Sequence, residues 1–220
     1  MMKRVLAFLV MSIVTIVVPH ARQLQTPTDW LWRTDTPSKV VATNPVPKDG
    51  WYFVAMPPGW HVTTGPGTVI YHPAHAARGL FALELEVHLF PGTSPSEYGL
   101  FAGGRSLETS STSPEYVAFV ARRDGQSAIL RRTGAGTTPI RDWTASPAVL
   151  PHPGGNDTVK NILRLDVTTQ EIAFSANGKE IVKMPRAAVA LDGLFGLRAG
   201  PDLNLHVTRL DVTHKLAPAK

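Results

Sequence analysis

Residues 81 to 90 read FALELEVHLF, and one face of this stretch is the first place to look for chemistry. A strand has a side-chain period of two. Glu84, Glu86 and His88 therefore project together, while Phe81, Leu83, Leu85, Val87 and Leu89 project the other way. Two carboxylates and an imidazole on one face can trade protons or contribute to a metal site. Same-face neighbours on a strand lie ~6.6 to 6.8 Å apart. The same alternation is also what the wet side of a sheet requires, with Arg122, Arg164 or Arg209 as cross-strand partners. An acid/base pair needs at least one carboxyl with a raised pKa, produced by burial or by the other's charge. Two glutamates about 7 Å apart in water interact by only ~0.6 kcal/mol, so only a roofed cleft separates their roles. The longest segment available as a roof is TGAGTTPIRDWTASPAVLPHPGGND, about 25 residues with Trp143 and His152 in it. The sequence reading prefers a polar sheet surface.

Two further polar groups stand out. YHPAHAARG places His72 and His75 three apart, with His61 shortly before them. Zinc takes histidine with an acidic ligand, but no helix carries this pair, no cysteine is present and the spacing is weak. Loop histidines are expected here, with no metal and no cofactor. On the last strand, Leu203, Leu205 and Val207 share one face, so Asn204, His206 and Thr208 share the other. The inward positions then switch to Leu210 and Val212, which requires a bulge near Thr208 or Arg209. No Gly-x-Ser-x-Gly elbow, phosphate loop or dinucleotide fingerprint occurs. GAGTTP is followed by no helix that would aim amides at phosphate.

The elements that must position these groups read as follows. The chain has 220 residues, a net charge of +5 and no cysteine. Residues 1–21 read as a secretory signal, with Lys3 and Arg4 before an apolar run from Val5 to Val18. That run is shorter than the ~20 residues that span a bilayer. Cleavage after Ala21 fits, although Pro19 sits where a small residue is usual, and an uncleaved N-terminal anchor is the alternative. Removal leaves 20 of the 22 basic side chains against 17 acidic ones, a net +3. A secreted or periplasmic location is expected, with no membrane contact once the leader is gone. No basic run is interleaved with aromatics, so nucleic acid is not an expected partner.

Residues 22–49 are rich in Thr and Pro and read as an extended arm, packed onto the domain through Trp30 and Trp32. From residue 50 to 214 the pattern is strand, turn, strand, with a tail at 215–220. Asp124-Gly125 and Asn177-Gly178 mark hairpins with type I′ turns. No run of ten residues shows a helical period after the leader. The fold class is all-β, an antiparallel two-sheet jelly-roll sandwich. Its expected core is Phe81, Leu83, Leu85, Val87, Val117, Phe119, Leu163, Leu165, Ile172, Phe174, Leu203, Leu205 and Val207.

The blocks VKNILRLDVTTQEIAFSANGKEI and GLFGLRAGPDLNLHVTRLDV resemble the back half of a concanavalin A-like lectin/glucanase jelly roll. They are closest in style to the 3-keto-disaccharide hydrolase domain and to laminin-G-like modules. The resemblance covers roughly Trp51 to His214 and implies that the last strand returns beside 81–89. The hydrolase domain's Asn-Ser-Gly-rich segment corresponds to SEYGLFAGGRSL, which keeps Gly103, Gly104 and Arg105 without the Asn-Ser pair. In jelly-roll glucanases an acidic alternating strand lines the cleft, which makes Glu84, Glu86 and His88 the catalytic candidates. Inverting glycosidases hold their carboxyls ~6.5 to 9.5 Å apart and retaining ones ~5 to 5.5 Å. Sugars stack on aromatics and bond to polar groups of both senses. Trp60, Tyr98, Arg105, Trp143, Asn204 and His206 are the ligand-binding candidates. The expected function is glycan binding without hydrolysis. The alternatives are a glycoside hydrolase of the 3-keto-disaccharide type and a structural or adhesive module.

Overall fold

The computed structural model describes residues 24–41 and 50–216. The leader, its cleavage site, residues 42–49 and the end of the tail lie outside the described residues. Fifteen strands follow in chain order: β1 (Leu31–Thr34), β2 (Lys39–Val41), β3 (Gly50–Ala55), β4 (Trp60–Thr63), β5 (Thr68–Ala77), β6 (Phe81–Leu89), β7 (Tyr98–Arg105), β8 (Glu115–Ala121), β9 (Gln126–Thr133), β10 (Gly136–Ala145), β11 (Val159–Val167), β12 (Glu171–Ala176), β13 (Lys179–Pro185), β14 (Gly193–Ala199) and β15 (Asn204–His214). The described residues hold no α-helix, only a 3-10 turn at Arg186–Ala188.

The strands form two sheets. One has seven strands in the order β1-β5-β14-β7-β8-β9-β10, the other eight in the order β13-β12-β11-β6-β15-β4-β3-β2. All pairings are antiparallel except β2 with β3. The fold is an all-β jelly-roll sandwich, and the alternation of 81–89 places β6 near the middle of the eight-stranded sheet, between β11 and β15. All thirteen residues expected in the core are buried. The return of the last strand beside β6 is observed, and its register slips between Val207 and Arg209, where the bulge was expected.

Asn177 and Gly178 both have positive φ (50° and 76°), which is the type I′ geometry. The other hairpin differs. Only Gly125 is left-handed there (φ 84°), and its N–H donates to the Arg122 carbonyl at 3.1 Å. This is the longer turn that closes with a left-handed glycine, not a type I′ turn.

Three segments read as loop or arm are strands. Residues 72–77 continue β5, so His72 and His75 sit on a strand. Residues 136–145 form β10, the edge of the seven-stranded sheet, so the long segment offers no roof over Glu84 and Glu86. The Thr/Pro-rich segment supplies β1 to one sheet and β2 to the other. Its tryptophans pack inward as expected: Trp30 lies 4.6 Å from Trp60 and 6.4 Å from Phe53, and Trp32 lies 5.2 Å from Trp51, between ring centroids.

Candidate functional site

The outward face of the eight-stranded sheet is a ladder of opposite charges. Register places Arg164 opposite Glu84 on one side of β6, and Arg209 opposite Glu86 and Asp211 opposite Glu84 on the other. Glu84 is clamped between Arg209 Nη2 at 2.7 Å and Arg164 Nη1 at 3.2 Å. Glu86 accepts a hydrogen bond from the Thr208 hydroxyl at 2.8 Å and faces Arg209 at 3.4 Å and Lys160 at 3.8 Å. Arg164 also reaches Asp166, which Lys215 bonds as well. Of the expected cross-strand partners, Arg164 and Arg209 act as such. Arg122 instead lies over the Trp143 ring, 3.5 Å from its centroid.

This ladder decides what the carboxylates can do. Glu84 and Glu86 keep 26% and 20% of their side-chain surface exposed, so neither is sealed from water. The Thr208 hydroxyl, aided by the charges of Lys160, Arg209 and His88, holds the Glu86 carboxyl below its ordinary value against partial burial. A general acid needs the opposite shift. His88 is also lowered, chiefly by burial, although Glu86 pulls it back up.

The expected polar row beside this face is present. His206 stands opposite His88 on one strand and opposite His61 on the next, with ring centroids 6.4 and 6.0 Å away. His206 Nε2 meets the Pro58 carbonyl at 2.9 Å, and Asn204 accepts from Thr63 at 3.5 Å. Burial, then the neighbouring His206, lowers the pKa of His61. Among the described residues no group of three or more His, Asp or Glu is placed to hold a metal. His72 and His75 stack on each other at 4.1 Å and meet the Trp30 ring edge-on, a packing role.

The outward face of the seven-stranded sheet is built differently. Val69, Tyr71, Phe101, Leu107, Tyr116 and Val120 are buried there as a second apolar cluster, separate from the core between the sheets. The Phe101 and Tyr116 rings lie 5.3 Å apart. Phe101 also lies across Gly196, where a Cβ would come within 2.7 Å of its ring. Arg198 donates to both oxygens of Asp35 at 2.7 and 3.0 Å and to Glu97 at 3.0 Å, tying the N-terminal segment onto this face. Trp143 and Leu130 flank the cluster and are half-buried.

At the end of this sheet, where β7, β8 and β9 meet, lies a pocket of about 160 Å³. Arg105, Arg131, Arg132, Glu115 and Tyr116 line it, and Ala190 closes one side. Arg105 stands opposite Glu115, which stands opposite Thr133, and Arg131 stands opposite Val117. Arg132 is held by the Gly134 carbonyl at 2.7 Å and the Thr137 hydroxyl at 3.2 Å. Among the described residues no carboxylate lies within 4.0 Å of the nitrogens of Arg105, Arg131 or Arg132. Two larger recesses, about 390 Å³ beside Trp32 and Asp35 and about 410 Å³ beside His75 and Asp211, gather no comparable set of arginines.

The expected ligand-binding residues are not brought together. Tyr98 belongs to the core: it is fully buried, its hydroxyl accepts from Asn161 at 3.0 Å, and burial pushes its pKa up to about 12. Trp60 is half-buried and packs against the core at one edge, 4.6 Å from Trp30 between ring centroids. Asn204 and His206 lie on the eight-stranded sheet, Trp143 and Arg105 on the seven-stranded one. Sequence reasoning missed Glu115, Tyr116, Arg131 and Arg132. The signal was available, because pairing the two strands around Asp124-Gly125 sets the Arg131-Arg132 pair at the strand end beside Tyr116.

No family model matches the chain, and no curated protein does. Solved structures do. The carbohydrate-binding module CBM66 from Bacillus subtilis aligns with a TM-score of 0.58 at 10% identity, over 83% of this chain and 95% of that one. A GH16 protein of the Bacteroides ovatus mixed-linkage glucan locus, in complex with a G4G4G3G product, aligns at 0.54 and 9% identity over 86% and 97%. The GlcNAcα1-4Gal-releasing endo-β-galactosidase from Clostridium perfringens aligns at 0.52 and 7% identity, over 75% of this chain and 54% of that one. These likenesses show a concanavalin A-like jelly roll.

Proposed function

We propose that this is an exported carbohydrate-binding sandwich that holds glycan on its seven-stranded sheet and does not cleave it. The observation that carries the reading is the pocket at the end of β7, β8 and β9, where three arginines without carboxylate partners sit beside Tyr116. Guanidinium donors beside an aromatic ring suit sugar oxygens and ring faces. The named functions of proteins with this fold, a carbohydrate-binding module and two glycan-acting proteins, support the reading by analogy. The leader at residues 1–21 supports export to the periplasm or exterior.

The rival reading is glycoside hydrolysis of the 3-keto-disaccharide type, with Glu84 or Glu86 as acid/base. The glucanase-like neighbour favours it. The arginine clamps and the lowered pKa of Glu86 weigh against it. A purely adhesive role through strand addition is opposed at one edge of each sheet: β10 carries Pro139 and two register shifts, and β13 ends at Pro185.

A glycan array with the full chain, followed by calorimetry on the best ligand, tests the proposal. Binding that falls about tenfold or more in Arg132→Ala, from loss of a charged hydrogen bond, and survives in Glu84→Gln and Glu86→Gln is the expected result. Turnover of 3-keto-glucosides or β-glucans that either Gln substitution abolishes, with the fold intact, hands the site to the hydrolase reading.

A further inference from the structure

We infer that the end pocket recognises an oxyanion carried on a sugar, a uronate carboxylate or a sulfate ester, so that the glycan bound is an acidic one. This rests on the carbohydrate-binding reading above and adds the chemical class of the ligand.

Three observations carry it. The first is charge: Arg105, Arg131 and Arg132 line the pocket with Glu115 as the only lining carboxylate, a local excess of two positive charges. The second is the contrast with the face of the eight-stranded sheet. Every basic residue on β11 and β15 (Lys160, Arg164 and Arg209) has a carboxylate within ion-pair distance. Arg105 and Arg131 have neither an ion-pair nor a hydrogen-bond partner among the described residues, so their donors are free. The third is size. About 160 Å³ exceeds the ~10 to 15 Å³ that admits one water and falls below the ~300 Å³ lower bound of drug-sized sites. It suits one charged group or one ring, with the rest of an oligosaccharide lying outside.

Arginine is suited to this task. Its planar fork matches carboxylate and sulfate oxygens with two parallel bonds and stays charged at all relevant pH. Arg105 and Glu115 face each other on adjacent strands, and Arg131 and Thr133 lie two residues apart on the next. Adjacent strands are ~4.8 Å apart and same-face neighbours ~6.8 Å. Two flexible arginines on that grid reach one anion between them. Arg132, already anchored by Gly134 and Thr137, is pre-ordered on the other side.

The test compares a glucuronate-containing oligosaccharide, its 6-O-sulfated counterpart and the uncharged parent by calorimetry with the full chain. The Arg105→Ala, Arg131→Ala and Glu115→Gln variants are measured alongside. All three positions are exposed, so the variants fold, and a circular dichroism melt checks this. The expected result is that at least one acidic ligand binds about tenfold tighter than the parent, which the two arginine variants abolish. Glu115→Gln raises affinity for that ligand, and raised salt lowers it. Whichever acid binds tighter identifies the source of the anion. Equal binding of acidic and neutral ligands overturns the inference and leaves the carbohydrate reading intact. So does a preference that survives Arg131→Ala or falls with Glu115→Gln. If inorganic sulfate and free glucuronate shift the Arg105 and Arg131 Nε–H resonances while no oligosaccharide binds, the sugar drops out, and both proposals fail.

Discussion

The two outward faces of this sandwich solve the same problem in opposite ways. On the eight-stranded sheet, polar side chains alternate with core residues, and the charges cancel rung by rung across β11, β6 and β15. On the seven-stranded sheet, the outward side chains are themselves apolar and buried. The buried arginine among them, Arg198, is fully paired, and three arginines without a carboxylate partner gather at the sheet's end. The acidic strand that looks most like chemistry in the sequence is the more inert of the two faces. Carboxylates saturated with partners have little interaction left to give a ligand, whereas unpartnered guanidiniums at a recess do.

The comparison makes ordered claims about stability. Phe101→Ala, on the outward face of the seven-stranded sheet, costs ~3 to 5 kcal/mol, as large as a truncation in the core proper. A urea titration that returns less than ~1 kcal/mol shows that this face is not a second core. Leu85→Ala, behind the inert face, costs ~2 to 5 kcal/mol by the same denaturation measurement. Arg198→Ala costs ~2 to 3 kcal/mol, because Asp35 and Glu97, both open to water, lose the charged hydrogen bonds of their shared partner. Arg164→Ala, on the exposed ladder, costs ~1 kcal/mol or less, and a loss comparable to that of Arg198→Ala breaks the distinction between the faces.

The smallest effect is carried by protons. His61 and His88 titrate below the ordinary 6.5 in the folded chain, so the unfolded chain takes up protons first as pH falls. Their contribution is complete above 6.5 and is lost as pH drops through 6.5 toward the folded values. Urea midpoints at about pH 7.5 and about pH 5.5 should differ in that direction, and His61→Gln should narrow the gap. Glu86 acts lower still: its share is present above 4.5 and disappears as pH falls through its depressed folded value.

Much of the fold is legible before the structure is seen. The period of two in 81–89, the Asn177-Gly178 turn and the parity switch after Val207 each translate into one feature of the backbone. What is missed has a common physical cause. Pro73 and Pro139 read as breakers, yet a strand position with no ladder partner on one side tolerates a residue without an N–H. β1, β2 and β10 are edges, and Pro73 lies in the part of β5 where the β14 register slips. The second apolar face is harder still. Tyr116, Ala118 and Val120 are apolar at the positions between Val117, Phe119 and Ala121, a continuous run that signals burial on both sides. Which loop covers the outer side depends on Leu107, and no local pattern reports that contact. The candidate site is non-local in the same way. Arg105 is singled out by resemblance alone, and its neighbours become visible once β7, β8 and β9 are laid side by side.

The place of β15 has a consequence for how the molecule comes into being. Residues 204–214 lie between β6 and β4, so a segment synthesised after every other described strand is an interior plank of the eight-stranded sheet. Until it emerges, β6 and β4 each expose an unsatisfied ladder, the kind of edge that invites pairing with another chain. Folding in the order of synthesis, usual for domains added one after another, is closed to this one. The eight-stranded sheet completes only after residue 214 is free, and a nascent chain cut short before residue 204 lacks the strand that joins its two halves.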